Sequence, residues 1–229
     1  MKGMQESITA WAIISAFGGS IIGAAIGGLI NFILQRNSLA AAKKQRDDDR
    51  DDKRRAYAFS LYVKLIRIYS DLGILWKAVS GSLKKAEAKG FEGSLFQIIV
   101  PITPLPSNIQ FSAEELAIIL SIDDKLFNKI ASLDQLHTST ISLFALYAEK
   151  RASLLDRLGA DMMGEVGTSV LTKEQRLWFD PQAFQLNQIA EYMIARSRDD
   201  SEEVWTALEL LNCLLEKHFK YKFELKKIL

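Results

Sequence analysis

The chain has 229 residues, 48% of them hydrophobic, and a formal net charge of +1. Near-neutral charge argues against bulk attraction to nucleic acid, and a single cysteine, Cys213, excludes an intrachain disulfide. Four prolines, separated by long apolar-periodic stretches, point to helices over a sandwich or barrel.

The first predicted element is Trp11–Leu34, WAIISAFGGSIIGAAIGGLINFIL, which contains no charged residue. At helical rise it spans roughly 36 Å, more than the roughly 30 Å hydrocarbon core of a bilayer. A buried soluble helix is seldom this long without a charge, and the run exceeds a usual signal-peptide core. Trp11 occupies an interfacial position. Arg36, Lys43, Lys44 and Arg46 follow the run, and basic flanks stay on the cytoplasmic side. The expected arrangement is a single transmembrane helix within 1–36. Its N-terminus lies outside and the rest of the chain is cytoplasmic, at a bacterial inner membrane.

Read at every fourth residue, this helix has two small-residue rows and two bulky rows. Ser15, Gly19, Gly23, Gly27 and Asn31 form one small row. Helices gain little hydrophobic drive in lipid, so their association needs close backbone approach, which small residues allow. The row predicts packing against copies of the same chain, and a tetramer is the assumed count. Alternatively, one small row lines a pore, with Asn31 at its cytosolic mouth, or Asn31 is simply interfacial.

Residues 37–55 read NSLAAAKKQRDDDRDDKRR. Lys43–Asp47, Lys44–Asp48, Asp49–Lys53 and Asp51–Arg55 are i,i+4 pairs, so a solvated, charged stalk helix is expected. Asp47, Asp48, Arg50 and Asp51 would repeat around an oligomer axis as a charge ring able to bias ion flow. The interspersed cations make this a self-neutralising face and not a metal site. Basic residues nearest the bilayer can contact anionic lipid.

A helical domain is expected over 56–229. Phe59, Tyr62, Val63, Ile66, Tyr69 and Trp76 predict a helix buried over most of its surface. Gly81, Gly90 and Gly93 then loosen the chain. The segment carrying Pro101, Pro104 and Pro106 reads as an extended excursion with at most a short strand at Phe96–Val100. Ser112 and Glu115 form a capping box, and Asp123 caps one long helix ending near Gly159. Gly164 and Gly167 mark a flexible connection that lacks the lysine of a phosphate loop. Pro181 opens a further helix to about Arg196, and Asp199 or Ser201 caps a last helix running to the C-terminus. The predicted fold class is all-α: a transmembrane helix, a charged stalk and a cytosolic multi-helix bundle.

Near the C-terminus, Lys217, Lys220, Tyr221 and Lys222 interleave cations with a ring, as a nucleotide or oligonucleotide surface requires. The same residues equally suit a helix end whose cations complement its dipole while its rings pack inward. His137, His218 and Cys213 show no metal-ligand spacing, and no nucleophile motif stands out. No cofactor, metal or enzymatic activity is therefore expected.

With its glycine-rich membrane segment fused to a helical cytosolic domain, the chain resembles in layout bacterial anti-phage membrane effectors such as the Hailong-type oligonucleotide-gated channels. The resemblance covers that layout and the glycine-rich helix, and carries no ligand residues over. It implies a ligand-gated channel in antiviral defence that permeates the membrane. A non-conducting membrane-tethered adaptor that binds another protein is the alternative.

Overall fold

A computed structural model describes the backbone of residues 2–158, 162–163, 166–167 and 171–227, and the side chains of 31–158 and 171–227. The protein is an all-helical bundle. In chain order its elements are α1 (Lys2–Ala88), α2 (Leu95–Ile98), α3 (Ala113–Ile122), α4 (Asp124–Ile130), α5 (Leu133–Leu158) and α6 (Lys173–Phe219). A two-residue antiparallel pair, β1 (Met162–Met163) with β2 (Val166–Gly167), lies where a flexible connection was expected between α5 and α6. Backbone contacts divide the chain into residues 1–54 and 55–229.

In the first unit the chain is helical from Lys2 onward, and every residue from 31 to 53 is exposed. Asp51 and Arg54 approach to 4.0 Å across i,i+3. The expected Lys43–Asp47 and Lys44–Asp48 pairs do not close, and such exposed pairs contribute little in any case. Among the described residues, no helix is long and apolar enough to cross a membrane. Most of the Trp11–Leu34 run, including Ser15, Gly19, Gly23 and Gly27, falls outside the residues whose side chains are described.

The second unit is organised by three apolar seams. Along α1, Ala58, Leu61, Leu65, Ile68, Leu72, Leu75 and Val79 are buried at alternating steps of three and four. That 3.5-residue repeat keeps one stripe facing its neighbours. The stripe is narrower than the sequence suggested, because Val63, Ile66 and Ile74 are exposed on the opposite face. On α5 the seam runs Leu133, His137, Thr140, Phe144 and Tyr147. On α6 it runs Ala183, Leu186, Ala190, Met193, Ser197, Asp200, Val204, Ala207 and Leu211. Both seams keep their step through a polar layer, where Thr140 Oγ1 donates to Asp200 Oδ2 at 2.6 Å. A polar pair at such positions favours one helix register over its slipped alternatives.

Three boundaries differ from expectation. Within the segment Phe96–Val100 the chain forms the single-turn helix α2 instead of a strand, and the Ser94 N–H ahead of it donates to Gln97 Oε1 at 2.9 Å. The long helix from Asp123 is two helices, interrupted at Ala131–Ser132. The two predicted C-terminal helices are one, α6, with Pro181 inside it. Pro181 removes only the hydrogen bond to the Leu177 carbonyl, and Leu177 is exposed to water there. Asp199 and Ser201, the expected cap residues, both lie inside α6, Asp199 exposed and Ser201 buried. The Ser112–Glu115 box and the Asp123 cap form as expected.

Candidate functional site

The site is a groove of about 510 Å³ between the α3–α4 corner and the last turns of α6. Asp123 shapes one wall. Its extended backbone ends α3, and its carboxylate accepts from the Leu126 N–H at 2.9 Å to start α4. Helical spacing then places Lys125 and Lys129 one turn apart, both exposed, while Leu126 and Ile130 are buried. On the facing wall Cys213 and Lys217 are likewise one turn apart, and His218 follows. Leu126, Leu210 and Leu214 supply an apolar lining.

Lys125, Lys129, Lys217 and His218 thus border one cavity, and among the described residues none has a carboxylate partner. Elsewhere on the bundle lysines that approach carboxylates pair with them: Lys64 with Glu115, Lys222 with Glu216, Lys227 with Glu202. Cations near a helix C-terminus gain about 0.3–1 kcal/mol from its dipole. That accounts for Lys217 and His218 on α6 and for Lys129 in the last turn of α4, but not for Lys125.

Only Lys217 of the four predicted ligand residues reaches this groove. α6 stops at Phe219, and Lys220 takes the left-handed cap conformation, φ 61°, with its N–H bonded to the Glu216 carbonyl. The chain then turns back over α1. The Tyr221 ring meets Phe59 edge-on at 5.1 Å, and Phe223 stacks on Tyr62 at 4.5 Å. Lys222 Nζ lies 3.3 Å from Glu216 Oε1. The interleaved cations and rings are therefore separated by the helix stop, with the Tyr221 and Phe223 rings laid against α1 yet still exposed on their outer side. Lys125 and Lys129 were missed in the sequence because their i,i+4 spacing alone does not reveal that α4 meets α6.

No family model matches this chain, and no characterised protein or solved structure is significantly similar to it. Its function is therefore argued from its own residues.

Of the other predicted site residues, Asn31, Asp47, Asp48, Arg50 and Asp51 are exposed on α1. Among the described residues, no group of three or more His, Cys, Asp or Glu is placed to hold a metal ion.

Three buried titratable groups of the bundle, Glu115, Asp200 and His137, meet partners on other helices. Burial alone would raise the Glu115 carboxyl. Hydrogen bonds from Lys64 Nζ at 2.7 Å, Ser60 Oγ at 2.5 Å and the Ser112 N–H at 2.7 Å outweigh it and hold the group below its usual range. Burial raises the Asp200 carboxyl, against the opposing pull of Thr140 and Arg196. Burial lowers His137, and Asp71 opposes that shift only in part.

Proposed function

We propose that this chain is a single-pass membrane effector that oligomerises through the glycine-rich segment 11–34 and acts as a ligand-gated ion channel in bacterial antiviral defence. The observation that carries the proposal is the uncharged run Trp11–Leu34 followed directly by a basic flank. Phe32, Ile33 and Leu34, at the described end of that run, are exposed large apolar side chains. Such a cluster needs a cover that no described residue supplies there, and lipid together with further copies of the chain would provide it. Small residues at Gly19, Gly23 and Gly27 suit close helix contact in a bilayer. The exposed stalk, with Asp47, Asp48, Arg50 and Asp51, would then form a charged vestibule.

The adaptor reading draws on a different feature. Leu177, Phe184 and Tyr192, at spacings of seven and eight, are exposed on one face of α6, a surface suited to a protein partner.

The test is to replace Gly23 and Gly27 by Leu, then measure the mass of the detergent-solubilised complex and ion leakage in cells. The channel reading expects a larger wild-type oligomer, with assembly and leakage both lost in the variant. Leakage absent in wild type under every inducing condition, with assembly intact, favours the adaptor. A monomeric wild type in detergent and in lipid removes the channel reading.

A further inference from the structure

We infer that the groove between α4 and the end of α6 is a binding site for a phosphate-bearing ligand with an apolar or aromatic body, either a free nucleotide or the headgroup of an anionic lipid. This inference does not rest on the channel reading, because every group it uses belongs to the helical unit 55–229.

Four basic side chains from two helices border one cavity, none within ion-pair distance of a carboxylate among the described residues: Lys125 and Lys129 from α4, Lys217 and His218 from α6. Such convergence of basic side chains favours an anion. Asp123 also lines the groove, but one of its oxygens is engaged in capping α4. A phosphate offers three acceptor oxygens and up to two charges, so it can engage cations arriving from both walls. A carboxylate brings a single charge and two oxygens, one fewer than the three lysines of the groove. Lysines serve phosphate well as compact point charges. The rest of the ligand would lie over Leu126, Leu210 and Leu214. The cavity's volume, about 510 Å³, falls within the range of small-molecule sites.

Cys213 makes the proposal testable. It is exposed, it lines the groove, and it is the chain's single cysteine, so any thiol alkylation reports on this cavity. The full-length protein in detergent is treated with N-ethylmaleimide in the presence of increasing ATP. In parallel, the protein is mixed with vesicles of neutral lipid and with vesicles containing phosphatidic acid. Saturable protection of Cys213 by ATP supports the site and assigns a free nucleotide. Protection by phosphatidic acid alone supports it and assigns a lipid headgroup. Lys129→Gln and Lys217→Gln should each raise the half-protecting concentration about tenfold, the equivalent of one charge-assisted hydrogen bond, with helicity unchanged. Lys226→Gln, outside the groove, should leave it unchanged. Absence of protection by either probe overturns the inference, as does protection that persists unaltered in both groove variants.

Discussion

The imidazole Nε2 of His137 lies 3.1 Å from Asp71 Oδ2, joining the α5 seam to α1 beneath a fully buried ring. Because its partner is a carboxylate, Nε2 carries the proton and donates. Nδ1 keeps a lone pair that no protein donor meets. Burial lowers the His137 pKa from 6.5, Asp71 opposes that shift, and Arg67 adds to it. On acidification the unfolded chain therefore takes up this proton first. Stability from His137 is present above the unfolded value and is lost as pH falls through the folded one. Tryptophan-fluorescence urea midpoints should drop below pH 6.5 in the wild type and drop less steeply in His137→Gln. Parallel pH profiles would refute this.

Glu115 has the acid-side counterpart. Its folded pKa is depressed, so its contribution is present above the unfolded value of 4.5 and is lost as pH falls through the folded value. Lys64→Met removes one charged donor from a carboxylate that is almost wholly buried. It should cost about 1.5–3 kcal/mol at neutral pH and move acid unfolding to higher pH. An unchanged acid midpoint would show that Ser60 and the Ser112 N–H suffice.

The polar layer of the α5–α6 seam predicts an asymmetry. Asp200 has a raised pKa, so its ionised form opposes folding as pH rises through the folded value. Asp200→Asn keeps an acceptor for Thr140 and should match or exceed wild-type stability at pH 7. Thr140→Val removes the donor at 2.6 Å and should cost about 1.5–3 kcal/mol. Equal losses in both variants would mean that the Arg196 contact at 3.4 Å matters more than the hydroxyl.

Tyr147 fastens the α2 segment to α5. Its buried hydroxyl faces the Ile99 carbonyl at 2.7 Å and the Phe96 carbonyl at 3.1 Å, and burial pushes its pKa up to about 12. Tyr147→Phe should cost about 1–3 kcal/mol. The Ile99 carbonyl loses its donor, whereas Phe96 retains Arg151 Nε at 3.0 Å. Hydrogen exchange should accelerate around α2 first, and uniform acceleration across the bundle would contradict this local role.

Pro181 offers a test in the stabilising direction. Pro181→Ala restores a helical N–H within α6 and should raise the thermal midpoint, by up to about 3 kcal/mol in stability. A lower midpoint would mean that the helix needs its proline-shaped backbone at this point.

Local signals were readable where the side chain that creates a feature also satisfies it. Ser112 with Glu115 and Asp123 with Leu126 meet within one turn, so their caps could be derived from spacing alone. Asp199 and Ser201 look like caps for the same reason, yet both lie inside α6, and the neighbouring Asp200 finds its donor sixty residues away on Thr140. The groove shows the same division. Lys217 stood out within a basic run, whereas Lys125 and Lys129 acquire meaning only beside α6.

The sequence by itself determined the helical class, the uncharged run Trp11–Leu34, the charged 37–55 segment and the caps, because each rests on composition or on contacts within a few residues. The tertiary structure decided that α6 is continuous through Pro181 and that Tyr221 and Phe223 fold back onto α1. It also brought three lysines and a histidine of α4 and α6 around one cavity. The physical reason is that a polar or apolar side chain specifies what it needs, while packing between distant segments selects which residue supplies it.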